Sequence, residues 1–154
     1  MRLPKEYGAG SRTLPWPDVR TRLEQAAHYW LTTTRPDGRP HVVPVDGLWF
    51  DDVWYFGGSP EAIHQRNLRT SPEVVIHLPD PMAAVIVEGR AEWRTPGPAD
   101  AKRLAADSKA KYGYAPPTAS CAAGTWVLAP RRVLAWTNIT DDPTRFEFAR
   151  TRAS

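Results

Sequence analysis

The chain has 154 residues, a formal net charge of +3 and 24% charged residues. That length fits one domain, residues 1–154, able to bury a core without disulfide or metal staples, with 1–15 and 149–154 as looser ends. Lys and Arg are scattered among Asp and Glu rather than gathered on one stripe, which argues against nucleic acid as a partner; Arg131-Arg132 precedes an apolar run as a solvated strand end does. There is no apolar run of membrane-spanning length and no signal-peptide core in Met1-Arg2-Leu3-Pro4-Lys5-Glu6, so the expectation is a cytoplasmic protein with no membrane partner. With no secretory signal read in the sequence, the acceptor pattern Asn138-Ile139-Thr140 is not expected to carry a glycan. The single Cys121 cannot form an internal disulfide and is expected to be a small packing residue.

In chain order, Val19, Leu23, Ala26, Ala27 and Trp30 recur at helical spacing, which predicts a first helix over residues 17–28. Thr32, Thr33 and Thr34 are β-branched and predict a strand over 31–35, closed by the turn signal Arg35-Pro36-Asp37-Gly38. A second strand over 39–45 follows, with Pro44 at a bulge or an edge because it cannot donate to a ladder. Asp51-Asp52 marks another turn before the aromatic strand Val53-Trp54-Tyr55-Phe56. Ser59 as N-cap and Pro60 at the first helical position predict a helix over 60–69, with Ile63 and Leu68 turned inward. Strands over 73–78 and 83–93 come next, the second broken by Gly89 where a barrel would bend. Residues 98–112 form an amphipathic helix, with Ala101, Leu104, Ala105, Ser108 and Tyr112 on one face and Gly113 as its stop. Two strands over 124–129 and 131–137 and an edge at Phe146-Glu147-Phe148 complete the chain. The fold class is therefore mainly β: an antiparallel barrel, closed or half closed, with flanking helices.

Many chemistries are absent. The chain has no His-Glu-x-x-His, Cys-x-x-Cys, Walker loop, dinucleotide glycine fingerprint or Gly-x-Ser-x-Gly elbow, and His28, His41, His64 and His77 are dispersed, so no metal site is expected. The remaining polar group surrounds the helix after the aromatic strand: Ser59, His64, Arg66 and Asn67, preceded by Gly57-Gly58, which let a ligand approach the backbone closely. Arg66 offers paired donors and Ser59 a hydroxyl, with the helix dipole behind them, so a phosphate could sit there. Glu61 opposes this, since it complements the dipole without a ligand; on residue types alone an ordinary helix start without a ligand is the stronger reading.

The ordered set Leu31 to Val45, then Trp54-Tyr55-Phe56-Gly57-Gly58-Ser59, then Arg66 to Leu78, then Ala84 to Glu92 resembles the pyridoxamine 5′-phosphate oxidase-like FMN-binding split β-barrel superfamily. Within it the chain is similar to the actinobacterial oxidoreductases that use flavin or the deazaflavin coenzyme F420. The resemblance implies a six-stranded antiparallel split β-barrel of Greek-key type, a homodimer with two sites at the interface, a small-molecule substrate, and FMN or F420 as hydride carrier. It also implies cofactor-binding positions. Val43, Pro44 and Val45 match the strand whose backbone lines the ring system, and Gly58, Ser59, Arg66 and Asn67 match the phosphate region. His64 stands where relatives that bind phosphorylated flavins have Lys, and a neutral imidazole is a poorer phosphate partner than an ammonium. No catalytic residue is required, because the carrier moves the hydride itself. Residues 136–148 lack the Arg-x-His arrangement of true pyridoxamine phosphate oxidases, so vitamin B6 oxidation is not expected. An apolar rim from some of Trp49, Trp54, Trp93 and Trp136 would suit a conjugated acceptor. The alternative on the same barrel is a non-catalytic protein that holds a flavin, haem or another hydrophobic ligand.

Overall fold

Alternating burial along the strands decides the architecture. Among residues 10–114 and 116–149, which the computed structural model describes, eight strands and four helices follow one another. Helix α1 (Trp16–Gln25) enters after Pro15 and buries Val19 and Leu23. It ends short of residue 28 because Ala26 already takes extended backbone, and strand β1 (Tyr29–Thr34) begins two residues earlier than the sequence suggests. Tyr29 explains both: its ring is fully buried and its hydroxyl donates to the Leu23 carbonyl at 2.5 Å, a contact available only from a strand running back under the helix.

Strand β2 (Pro40–Val45) returns through a turn in which Gly38 has φ +84°, and it pairs only with β1, so Pro44 sits on an edge strand opposite Trp30. The residues between the expected second and third strands are themselves a strand: β3 (Gly47–Phe50) and β4 (Val53–Phe56) form a hairpin through Asp51 and Asp52, both at positive φ. Asp tolerates that left-handed region better than most residues, which is why the turn was legible. Helix α2 (Ile63–Leu68) precedes β5 (Glu73–His77) and β6 (Val85–Arg94). Helices α3 (Pro98–Tyr112, stopped by Gly113 at φ +78°) and α4 (Thr118–Ala123) lie between β6 and β7 (Thr125–Ala135), and β8 (Thr144–Glu147) closes the described chain.

The sheet order is β2-β1-β5-β6-β7-β4-β3 with β8 beside β7, and every pairing is antiparallel. The split barrel thus has eight strands rather than six. The two strands expected over 124–137 are one: β7 pairs its first half with β4 and its second half with β8, and the bend lies where Gly89 faces Pro130 while Glu88 faces Arg132. Arg131 is the extra residue of this bulge, and a bulge increases local twist. Inside the curl, Trp54 is fully buried, with ring centroids 4.3 Å from Phe56 and 5.1 Å from Tyr29. Each such ring contributes about 1.5–3 kcal/mol of burial. No helix among the described residues is long and apolar enough to cross a membrane.

The bulge makes Gly89 untouchable. A Cβ there would overlap the Ala129 carbonyl and the Leu128 side chain, and the backbone partner cannot step aside. Gly89→Ala is expected to lower unfolding stability by roughly 2–4 kcal/mol, measured by urea denaturation. A loss under 0.5 kcal/mol would mean that the sheet does not bend there.

Candidate functional site

The strand β4 ends at Phe56, and the chain must then cross from the sheet to α2. It does so through Gly57 and Gly58, the latter at φ +135° with a Cβ direction pointing onto the His64 ring, so only glycine fits without displacing it. The sequence placed the helix start at Ser59, and this is corrected. Residues 59–62 form a turn closed by the Ala62 N–H on the Ser59 carbonyl at 2.9 Å, Ala62 is the N-cap, and α2 has six residues. The Ser59 hydroxyl accepts only from the Glu61 N–H at 3.4 Å and caps nothing. The start is displaced because His64 and Gln65 both reach back to the strand end: the Gly57 carbonyl accepts from Gln65 Nε2 at 2.8 Å and lies 3.4 Å from His64 Nε2.

Gln65 is the hinge pin of this corner. Its Oε1 accepts the Trp126 indole N–H at 2.6 Å while its amide holds Gly57, so one buried side chain ties α2, β7 and the end of β4. His64 is buried as well, and burial pushes its imidazole below the ordinary histidine value, the Gly57 carbonyl partly offsetting the shift. A carbonyl can only accept, so Nε2 carries the proton and the ring is neutral near pH 7. His41, on the inner face of β2, is lowered by burial, by Arg35 and by His64.

Beside this corner opens a cavity of about 730 Å³, bounded on one side by Val45, Gly57, Gly58, His64 and Gln65 and on the other by α3 and α4. Its walls are aromatic and aliphatic: Leu48, Tyr55, Phe56, Trp93, Leu104 and Tyr112 all face it. Behind the wall, Lys111 donates to the Tyr29 hydroxyl at 3.0 Å and the Gly47 carbonyl at 3.1 Å; burial lowers its pKa to about 8, against the pull of Asp46. Tyr112 locks the same glycine, donating to its carbonyl at 2.8 Å and accepting its N–H at 2.9 Å.

Of the residues singled out in the sequence, Val45, Gly58 and His64 line this cavity. Val43 is half buried against the core, while Pro44 is exposed on the opposite side of β2. Asn67 is buried and its amide donates to Thr33 Oγ1 at 2.9 Å, inside the barrel. Arg66 is exposed on α2, with no side-chain hydrogen bond or ion pair among the described residues. Of the four tryptophans, Trp93 alone lines the cavity; Trp49 and Trp54 are core, and Trp136 donates its indole N–H to the Pro81 carbonyl at 3.3 Å. Cys121 is also on the cavity wall, half buried, with burial raising its thiol pKa. Asp46, Gln65, Tyr112 and Tyr114 were missed, and only the helical face containing Tyr112 gave any signal. No group of three or more His, Cys, Asp or Glu that could hold a metal occurs among the described residues.

Comparison with known proteins supplies the rest. No curated protein matches the sequence. Solved structures match the fold: an F420 reductase at 25% identity covers 74% of this chain and 94% of that one with a TM-score of 0.57. A conserved hypothetical protein from Mycobacterium tuberculosis is 18% identical, covering 83% and 88%, with a TM-score of 0.68. A heme binding protein from Mycobacterium smegmatis is 21% identical, covering 96% of this chain but 60% of that one, with a TM-score of 0.64. The sequence profile of the pyridoxamine 5′-phosphate oxidase family matches residues 16–137, and with that span inside a split barrel the chain belongs to this family.

Proposed function

We propose that the protein is a flavin- or deazaflavin-dependent oxidoreductase that seats the ring system of FMN or coenzyme F420 in the cavity beside α2. The observation that carries this reading is the cavity itself: a family member with a ring-sized, aromatic-walled space at the Gly57–Gly58 corner, fixed by Gln65 and His64. The similarity to an F420 reductase supports it. The residues fit a planar ring better than they fit a phosphate. Among the described residues no Arg or Lys lines the cavity, so the phosphate would lie outside it, where Arg66 is an exposed cation without a partner among those residues. When bound, the cofactor would carry the hydride. The chain would supply an aromatic-walled slot, the Gly57–Gly58 backbone against the ring, and a corner tied by Gln65 and Trp126. Oxidation of vitamin B6 is not part of the proposal, for lack of the Arg-x-His arrangement near the C-terminus.

A second reading, a non-catalytic binder of haem or another hydrophobic ligand, draws on the neutral His64, the mostly apolar walls and the similarity to a heme binding protein. The absorbance spectrum of the purified protein, followed by titration with FMN, F420 and haem, separates the two. Only the first reading predicts flavin or deazaflavin bands with turnover of a reducible acceptor.

The proposal includes a homodimer. Trp30 and Val42 are 37% and 51% exposed on the outer face of β1 and β2, beside Pro44 on an unpaired edge, and an apolar patch of this kind is normally covered. Light scattering is expected to give about twice 17.2 kDa; a monomer at micromolar concentration counts against it.

Arg66→Ala should weaken binding of either phosphorylated cofactor by about 1.5–3 kcal/mol, the loss of one charge-assisted contact, with little change in melting temperature. Unchanged affinity would move the phosphate elsewhere. His64 gives the complementary test. Protonation adds a cation at the cavity wall, and burial sets its pKa below the ordinary 6.5, so cofactor affinity should rise only as pH falls below that value. His64→Lys, an ammonium throughout this range, should bind more tightly and show no such rise. Flat affinity in both proteins would show that no phosphate comes near residue 64.

A further inference from the structure

The cavity has a charge pattern that the ring-binding corner does not explain. Among the described residues on its wall, Asp46 is the only Asp, Glu, Lys or Arg. Every neighbouring ionisable group for which a shift is resolved is pushed toward its neutral form: burial lowers His64 and raises Tyr55, Tyr112, Tyr114 and Cys121. Asp46 stands where α3 meets the open end of the β3–β4 hairpin: it follows β2, precedes the Gly47 that Tyr112 holds and that pairs with Phe56, and accepts from the Tyr114 hydroxyl at 3.4 Å. The Tyr112 and Tyr114 rings are 6.2 Å apart and tilted by 31°, and Leu104 and Ser108 of α3 complete that end.

Two basic side chains stand near Asp46. His28 contacts its Oδ1 at 3.0 Å from the exposed side, and Lys111 is turned behind Gly47 onto the Tyr29 hydroxyl and the Gly47 carbonyl, outside the cavity lining. Neither offers a donor into the space. An anion entering this end would leave water for aromatic faces and a carboxylate, with no cation to meet it. A cation would meet electron-rich ring faces and Asp46, both favourable.

We propose that the α3 end of the cavity is a substrate subsite for an uncharged or cationic conjugated molecule, with Asp46 as the residue that selects charge. Calling the ligand a substrate rests on the oxidoreductase reading above; the charge selection rests on the cavity alone.

Two tricyclic probes of one size test it: 9-aminoacridine, a cation at pH 7.5, and acridine-9-carboxylate, an anion. Calorimetric titration of the purified protein is expected to show the amine binding at least tenfold more tightly. Asp46→Asn keeps an acceptor for Tyr114 and should reduce that ratio to about twofold or less, with Asp46→Glu restoring most of it. Leu104→Trp, which fills the α3 end, should abolish binding of both probes. If the Asp46 variants do not fold, the wild-type ratio must itself fall when salt is raised from 50 to 500 mM, as charge selection requires. Equal binding, tighter binding of the carboxylate, binding of neither probe, or a ratio indifferent to Asp46 and to salt would each overturn the proposal. The two readings fail separately. Loss of flavin and deazaflavin binding with the probe ratio intact sinks the oxidoreductase alone, whereas cofactor binding with no probe preference sinks the charge-selective subsite alone.

Discussion

The β6–β7 bend is the constraint on which the rest depends. Two long strands run side by side, and at Gly89 and Pro130 one gains a residue over the other, so the sheet turns a corner instead of continuing flat. On one side of that corner β7 pairs with β4, on the other with β8. Only because β7 changes partners can the β3–β4 hairpin return to the far edge of the sheet and its aromatic residues, Trp54 and Phe56, fill the concave side. The segment carrying α3 and α4 leaves from the end of β6 and re-enters at the start of β7, next to β4, and it therefore arches over the open end of the hairpin. The cavity is the space beneath that arch.

That geometry explains the electrostatics of the site. An arch that turns Leu104, Ser108, Tyr112 and Tyr114 toward an aromatic hairpin offers few groups that can solvate a charge. The polar atoms that do lie there are spent on one another: Gln65 between Trp126 and Gly57, Tyr112 on both backbone groups of Gly47, Thr125 on the Phe56 carbonyl at 3.0 Å. Such closed pairings are what buried polar groups require, and they leave a rigid wall with little capacity to turn toward an ionic ligand. A phosphate is thus better served outside the cavity than in it, and a flat uncharged ring is better served inside.

Much of the fold was legible because turn chemistry and periodicity are local. Pro36-Asp37-Gly38, Asp51-Asp52, and the pair Pro98 and Gly113 each mark a boundary that the structure has, and α3 runs over the expected residues. Gly89 was legible as a bend, since a glycine inside an otherwise apolar strand pattern has few other uses. The misses are tertiary. Trp30 fits a helical stripe, but Tyr29 beside it needs the strand to bury its ring and reach Leu23, and the strand wins. Ser59-Pro60 is a good local start signal, yet the bonds from His64 and Gln65 to Gly57 begin the helix at residue 63. α4 left no trace, because Thr118-Ala119-Ser120-Cys121-Ala122-Ala123 has no apolar period and buries no residue fully.

The candidate site was legible only where it follows the chain. Gly58 and His64 are close in sequence to the strand end that aims them, so the motif found them. Asp46, Tyr112 and Tyr114 come together through the hold of α3 on Gly47, a contact 65 residues apart that no spacing rule contains. Whether His64 serves as a phosphate partner is likewise decided by three dimensions. An exposed histidine would be half protonated near its ordinary pKa, but burial favours the neutral ring here, with Nε2–H directed at the Gly57 carbonyl, and the other nitrogen of that neutral ring can only accept. A lysine at the same position would bring an ammonium to the wall of a cavity whose other charge is Asp46, and the preference for uncharged or cationic rings would weaken with it. On the proposed reading, the neutral histidine leaves Asp46 as the one carboxylate on the cavity wall among the described residues, and so the group that would govern which ligands enter.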